Sequence, residues 1–147
     1  GIIPHVVDFK ELKAHFGNHP DVLIIDLNTD NIEAVVDQIV QCEATISTSL
    51  HGVIESVAYG IPTRWYKYSD RINGDDIKYY DFFSSLDPEV FEKFDRKAFK
   101  SHDHRYDPLV FDPNQTIEDL ISQTYLYDMS NFDAEKLIAA CPITISK

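Results

Sequence analysis

The chain has 147 residues, 44% of them hydrophobic, which suits one compact domain with a core of its own. Its 25 Asp and Glu against 13 Lys and Arg give a formal net charge of −12, a field that repels nucleic acid and anionic membrane surfaces and excludes both as expected partners. No stretch approaches the roughly 18 apolar residues of a membrane span, and the start lacks a basic region followed by an apolar one, so a cytoplasmic location is expected.

In chain order, Gly1-Ile2-Ile3-Pro4-His5 reads as a strand end and an immediate turn, the beginning expected of a fragment whose preceding part lies elsewhere. Phe9, Leu12 and Phe16 fall on one side of a helix from Asp8 to His15, stopped by Gly17-Asn18. The nearly continuous apolar run from Asp21 to Leu27 predicts a strand buried on both faces, hence a parallel sheet. Ile32, Val35, Val36, Ile39 and Val40 form the stripe of a second helix, and Ala44 to Ser47 a second strand. The hydroxyl triplet Ser47-Thr48-Ser49 then caps a third helix with Leu50, Val53, Ile54, Val57 and Ala58 on one face, closed by Gly60-Ile61-Pro62. Thr63 to Tyr68 alternates like a strand nearer a sheet edge.

Helix and strand alternate through the first half with short connections, the pattern of right-handed βαβ units in a doubly wound, Rossmann-like sheet. The second half is less regular. Ile77 to Leu86 reads as an aromatic-rich helix, Phe91 to Phe99 as weakly patterned, and Ser101 to Pro108 as a polar loop outside any element. Thr116 and Asp119 stand at capping-box spacing before a helix running to Leu126, and a last helix spans Asp133 to Ala140 before Pro142. Cys42 and Cys141 form no CxxC and have no metal-ligand spacing; structural thiols in a reducing compartment are expected.

In a doubly wound sheet ligands sit at the carboxyl ends of the strands, where the turn from Ser47 to Gly52 falls. The first N–H groups of the following helix have no intrahelical partners and the dipole is positive there, so Ser47, Thr48 and Ser49 frame a place for a small anion. His51 stands in the first helical turn, Gly52 permits close approach of a backbone or a ligand, and Glu55 lies one turn on, at i+4, on the same face as His51. Arg64, Lys67, Arg71 and Lys78 follow; they either meet a negatively charged substrate or balance the acidic surface. His102-Asp103-His104 lacks the further ligands that zinc or iron needs, so no metal is expected, only a solvated loop.

Four segments, Gly1-Ile2-Ile3-Pro4-His5, Ile46-Ser47-Thr48-Ser49-Leu50-His51-Gly52, Ala58-Tyr59-Gly60-Ile61-Pro62 and Lys78-Tyr79-Tyr80-Asp81-Phe82-Phe83-Ser84, closely resemble in kind and order the polysaccharide pyruvyl transferases. The resemblance covers residues 1 to about 85 and implies an α/β fold like the C-terminal domain of a GT-B type glycosyltransferase, with residues 1–147 as one domain. It also implies transfer of a pyruvyl group from phosphoenolpyruvate to two hydroxyls of a glycan or lipid-linked sugar, giving a pyruvate ketal on an exopolysaccharide or cell-surface glycan. Leu50 and His51 are implicated in binding phosphoenolpyruvate, and no cofactor is implied. The family's N-terminal domain would supply the opposite wall, including an Arg, at a cytoplasmic site that can include the inner face of the membrane.

Two rivals stand beside this. A nucleotide-sugar-binding half of a GT-B type glycosyltransferase or epimerase also places a small-residue turn before a helix that receives a diphosphate, with Glu55 then facing a ribose. A non-catalytic remnant serving protein association would expose aromatics among Tyr79, Tyr80, Phe82 and Phe83.

Overall fold

The computed structural model describes residues 1–74, 76–133 and 135. The expected last helix lies almost wholly outside them, and Cys141 lies outside them too.

Four parallel strands form the sheet in the order β1 (Ile2–Ile3), β2 (Thr45–Ser47), β3 (Thr63–Lys67) and β4 (Leu109–Val110). The register places Ile3 beside Ser47 and Ser47 beside Trp65. Between them run α1 (Phe9–Phe16), α2 (Ile32–Val40), α3 (Leu50–Ala58), α4 (Ile77–Leu86) and the single turn α5 (Glu89–Glu92), and α6 (Ile117–Ser122) follows β4.

Side-chain alternation along the strands divides these helices between two faces. Ile2, Ile46 and Tyr66 pack against Leu12 and Phe16 of α1 and Leu120 of α6. On the other face Ile3 meets Val35 and Ile39 of α2, and Trp65 joins Val53 and Val57 of α3 with Tyr79, Tyr80 and Phe83 of α4. The Trp65 and Tyr79 rings stack at 4.1 Å, 6° from parallel.

The apolar run from Asp21 to Leu27 departs from the buried strand expected of it. It joins the sheet through Ile2 alone, whose N–H donates to Leu23 O and whose O accepts from Ile25 N–H, making one bridge between Ile2 and Ile24. It is an edge: Ile25 is buried, Leu23 is exposed. The expected edge strand, Thr63 to Tyr68, is instead interior, flanked by β2 and β4 and buried through Tyr66. Part of the unassigned polar loop is a single 3₁₀ turn, His104–Tyr106, leading into β4. The capping box at Thr116 is present with both reciprocal bonds, but the helix ends at Ser122 because Tyr125 pairs antiparallel with Thr63.

With the 21–27 edge included, the chain leaves β1 to one side through α1 and returns across it through α2 to β2. β1 is therefore the point where the winding reverses, and the crevice at the carboxyl ends of β1 and β2 is the place such a sheet offers a ligand.

Candidate functional site

At that crevice the hydroxyl turn divides its labour. Ser47 is 1% exposed; its Oγ donates to Ile3 O and accepts from Ser49 N–H. Thr48, equally buried, accepts His5 N–H on Oγ1 at 2.8 Å and Tyr79 O–H on its carbonyl at 2.8 Å. These two residues join the end of β1, the turn and α4, and their side chains face the protein.

Ser49 differs. It is the N-cap residue of α3 and 4% exposed, yet its hydroxyl makes no capping bond, and it lines a cavity of about 440 Å³. His51 and Glu55 share that wall, as do His5, Asp26, Asn28 and Thr29, with Val6 and Ile32 among the apolar part. Val6 and Ile32 are 66% and 69% exposed. His51 is exposed at the mouth. Glu55 has one carboxylate oxygen, Oε2, buried without a partner, and its burial pushes its pKa above the usual carboxylate value, partly opposed by the charge of His51.

Leu50 packs against the core cluster of α3 and α4. The glycine at 52 is required by a protein contact: a Cβ there would lie 2.5 Å from Ser47 Oγ and 2.6 Å from Ile3 Cγ2. Gly52 and Ser56, rather than Ala58, complete the sheet-facing side of α3, and Ser56, Thr45 and Thr63 form a buried hydroxyl chain at 2.8 Å steps beneath it.

Arg64 is not brought to this cavity. Register puts it beside Ile46, on the face opposite α3, where Nη2 donates to His104 O at 2.6 Å and the guanidinium lies 5.2 Å from the Tyr125 ring. Its neighbours in sequence are committed as well: Lys67 pairs with Asp76 and Asp70, Arg71 with Asp8 and Glu11, and Lys78 lies over the Tyr79 ring. Lys67, Arg71 and Lys78 serve the protein's own acids and rings, while Nε and Nη1 of Arg64 are buried without a hydrogen-bond partner.

His5, Asp26, Asn28 and Thr29 also line the cavity, and no local pattern in the sequence marks them as a group. They come to the cavity from segments 20 or more residues apart, and only the reversal of winding at β1 unites them.

Away from the crevice, Asp87, Glu89 and His102 offer ligand atoms within 4.8 Å of one another, but Glu89 pairs with Lys93 at 2.6 Å and Asp87 accepts Tyr106 O–H. Cys42 is a free thiol donating to Gln38 O. A larger cavity, about 550 Å³, lies at the other end of the strands around Gly1 and α6. It has three acids in its wall, Asp21, Glu43 and Glu118, and no imidazole.

What separates the two cavities is their place in the chain. Every residue lining the smaller one falls between Pro4 and Glu55, whereas the larger draws part of its wall from Ile117 to Thr124. Residues 3–70 match the polysaccharide pyruvyl transferase family. The pyruvyl transferase match thus contains the whole wall of the smaller cavity and only part of the larger. An uncharacterized protein of Acanthamoeba polyphaga mimivirus is 35% identical over 99 residues, 64% of this chain and 34% of that protein. The chain thus spans about a third of the length of the relative it matches. No solved structure matches it. Among the described residues no helix is long and apolar enough to cross a membrane.

Proposed function

We propose that this chain is the phosphoenolpyruvate-binding part of a polysaccharide pyruvyl transferase, the C-terminal half of a two-domain GT-B type enzyme working at the cytoplasmic side. The observation that supports it most is that the matched segment holds every residue of the cavity at the winding reversal, Ser49, His51 and Glu55 among them. Residues 1–147 act as one domain, and an N-terminal domain forms the opposite wall, bringing a cation for the substrate carboxylate and a seat for the glycan or lipid-linked acceptor.

In the reaction, a proton adds to the methylene carbon of phosphoenolpyruvate and the adjacent carbon becomes oxocarbenium-like. One sugar oxygen bonds to that carbon, the bond to the phosphate oxygen breaks, and a second sugar oxygen closes the ketal. The two hydroxyl protons balance the one gained by carbon and the one leaving with phosphate. The start of α3 receives the phosphate, with Ser49 and the Leu50-His51 amides as donors. In this reading His51 holds the phosphate or moves the proton, and Glu55, one turn along the helix, is a second proton-carrying group on the same wall.

The association-remnant alternative loses its motive, since Tyr79, Tyr80 and Phe83 are buried in the core and Phe82 packs against it. The nucleotide-sugar alternative is tested together with the main proposal. Thermal-shift and calorimetric titration of the chain should show weak, millimolar phosphoenolpyruvate binding that His51→Ala abolishes, with no stabilisation by UDP-sugars. Stabilisation by a UDP-sugar alone would replace the proposal, and sub-micromolar phosphoenolpyruvate binding lost in His51→Ala would end the idea of a divided site.

A further inference from the structure

We propose that His5 is the second imidazole of the anion site, its Nε2–H donating to the same phosphate group that meets Ser49 and the start of α3. The assignment rests on the phosphoenolpyruvate site proposed above and names a residue to which that proposal gives no role.

His5 is set in place from both ends. Its main-chain N–H is held by Thr48 Oγ1 at 2.8 Å, 43 residues away in sequence. Thr48 is held in turn, its N–H on Ile3 O and its carbonyl under Tyr79 O–H. In the side chain, Nδ1 accepts Val7 N–H at 3.3 Å. A neutral imidazole that accepts at Nδ1 carries its proton on Nε2, so the other ring nitrogen is a donor. His5 lines the cavity together with Ser49 and His51.

Ser49 supplies an independent sign that something is received here. A serine at an N-cap ordinarily turns its oxygen back to the N2 or N3 amide. This one is 4% exposed, makes no such bond, and lines the cavity. The hydroxyl, the first N–H groups of α3 and the His5 Nε2–H make a cluster of donors. Of the two acids in the same wall, Asp26 has Oδ1 occupied by Asn28 N–H and Glu55 stands one turn along α3 from His51. A tetrahedral oxyanion supplies the several acceptors that such a cluster lacks. Thr48 is then a positioning residue: its hydroxyl holds the His5 backbone in the cavity wall.

The test is an NMR titration of the ¹⁵N-labelled 147-residue chain with inorganic phosphate and, separately, with phosphoenolpyruvate. The free chain should show the Nε2–H tautomer at His5, and both His5 and His51 ring signals should move with either ligand. His5→Asn keeps an acceptor for Val7 N–H but has no donor at the Nε2 position; with its backbone spectrum otherwise unchanged, it should bind both ligands about tenfold more weakly. His5→Gln places an N–H near the Nε2 position and should recover most of the affinity. Equal losses in the two variants, or wild-type affinity in His5→Asn, would reduce His5 to a turn residue. A loss for phosphoenolpyruvate but not for phosphate would move His5 to the carboxylate and overturn the assignment. Binding that needs His51 but not His5 would overturn this assignment and leave the proposed function standing, whereas no binding of either ligand would overturn both.

Discussion

Glu55 is the residue whose charge the fold resists. Its Oε2 is buried without a partner, and desolvation raises its pKa more than the neighbouring His51 lowers it. A carboxyl raised in the folded state stabilises the fold while both states are protonated and loses that contribution as pH rises through the folded value. Glu55→Gln carries no charge to desolvate. Its melting temperature relative to wild type should therefore climb as pH rises above the ordinary glutamate value, with the two proteins converging at the acid end. A difference independent of pH would mean that Glu55 is solvated in the folded chain. At this scale the cavity wall was half legible. His51 and Glu55 announce themselves by i+4 spacing, but Arg64 does not announce which face it takes. That depends on the register with β2, which puts it beside Ile46 and under His104 and Tyr125.

Among the elements, α3 approaches β1 closely because two of its inward positions, Gly52 and Ser56, are small. Gly52 rests on Ile3 and Ser47, and Ser56 joins the hydroxyl chain of Thr45 and Thr63. Gly52→Ala would force a methyl to within 2.6 Å of Ile3 Cγ2 and 2.9 Å of Ile3 Cβ. The helix must then lift, which should destabilise the chain by about 1–3 kcal/mol despite the better helix propensity of alanine. Chemical denaturation measures this directly; a neutral or stabilising result would mean that α3 has room above β1. Helices α1 to α4 were readable because each carries a 3.6-residue stripe, and α6 because Thr116 and Asp119 sign its start, whereas the single turn α5 is too short to show a period. The strands were less so: β4 has only Leu109 and Val110, too few for a period, and the apolar run from Asp21 to Leu27 looks doubly buried while in fact edging the sheet at one bridge. Strand order is set by long-range pairing, and no local pattern records it.

For the whole molecule the governing quantity is the net charge of −12. Lys67, Arg71 and Arg105 are each taken by one or two carboxylates, so the remaining acids repel across the surface. Screening should relieve that repulsion, and sodium chloride raised from a few millimolar to about 150 mM should increase the melting temperature. A fall would place more of the stability in surface ion pairs such as Arg71 with Glu11 than in the relief of repulsion. The same field slows the approach of an anion, so the proposed recognition of phosphoenolpyruvate rests on donors at contact distance.

The lone bridge at Ile2 has a consequence for how this cavity can diversify. One wall, from Ile3 to His5 and from Ser47 to Gly52, is cross-linked by Ser47 and Thr48 to neighbouring segments. The other, Asp26 to Thr29, runs past the last bond that ties its segment to the sheet, its polar groups turned on one another as in Asn28 N–H to Asp26. Substitutions and short insertions between Leu27 and Asp30 can therefore reshape what the cavity admits without disturbing the donors at the start of α3. The cavity thus combines a braced wall with an adjustable lip.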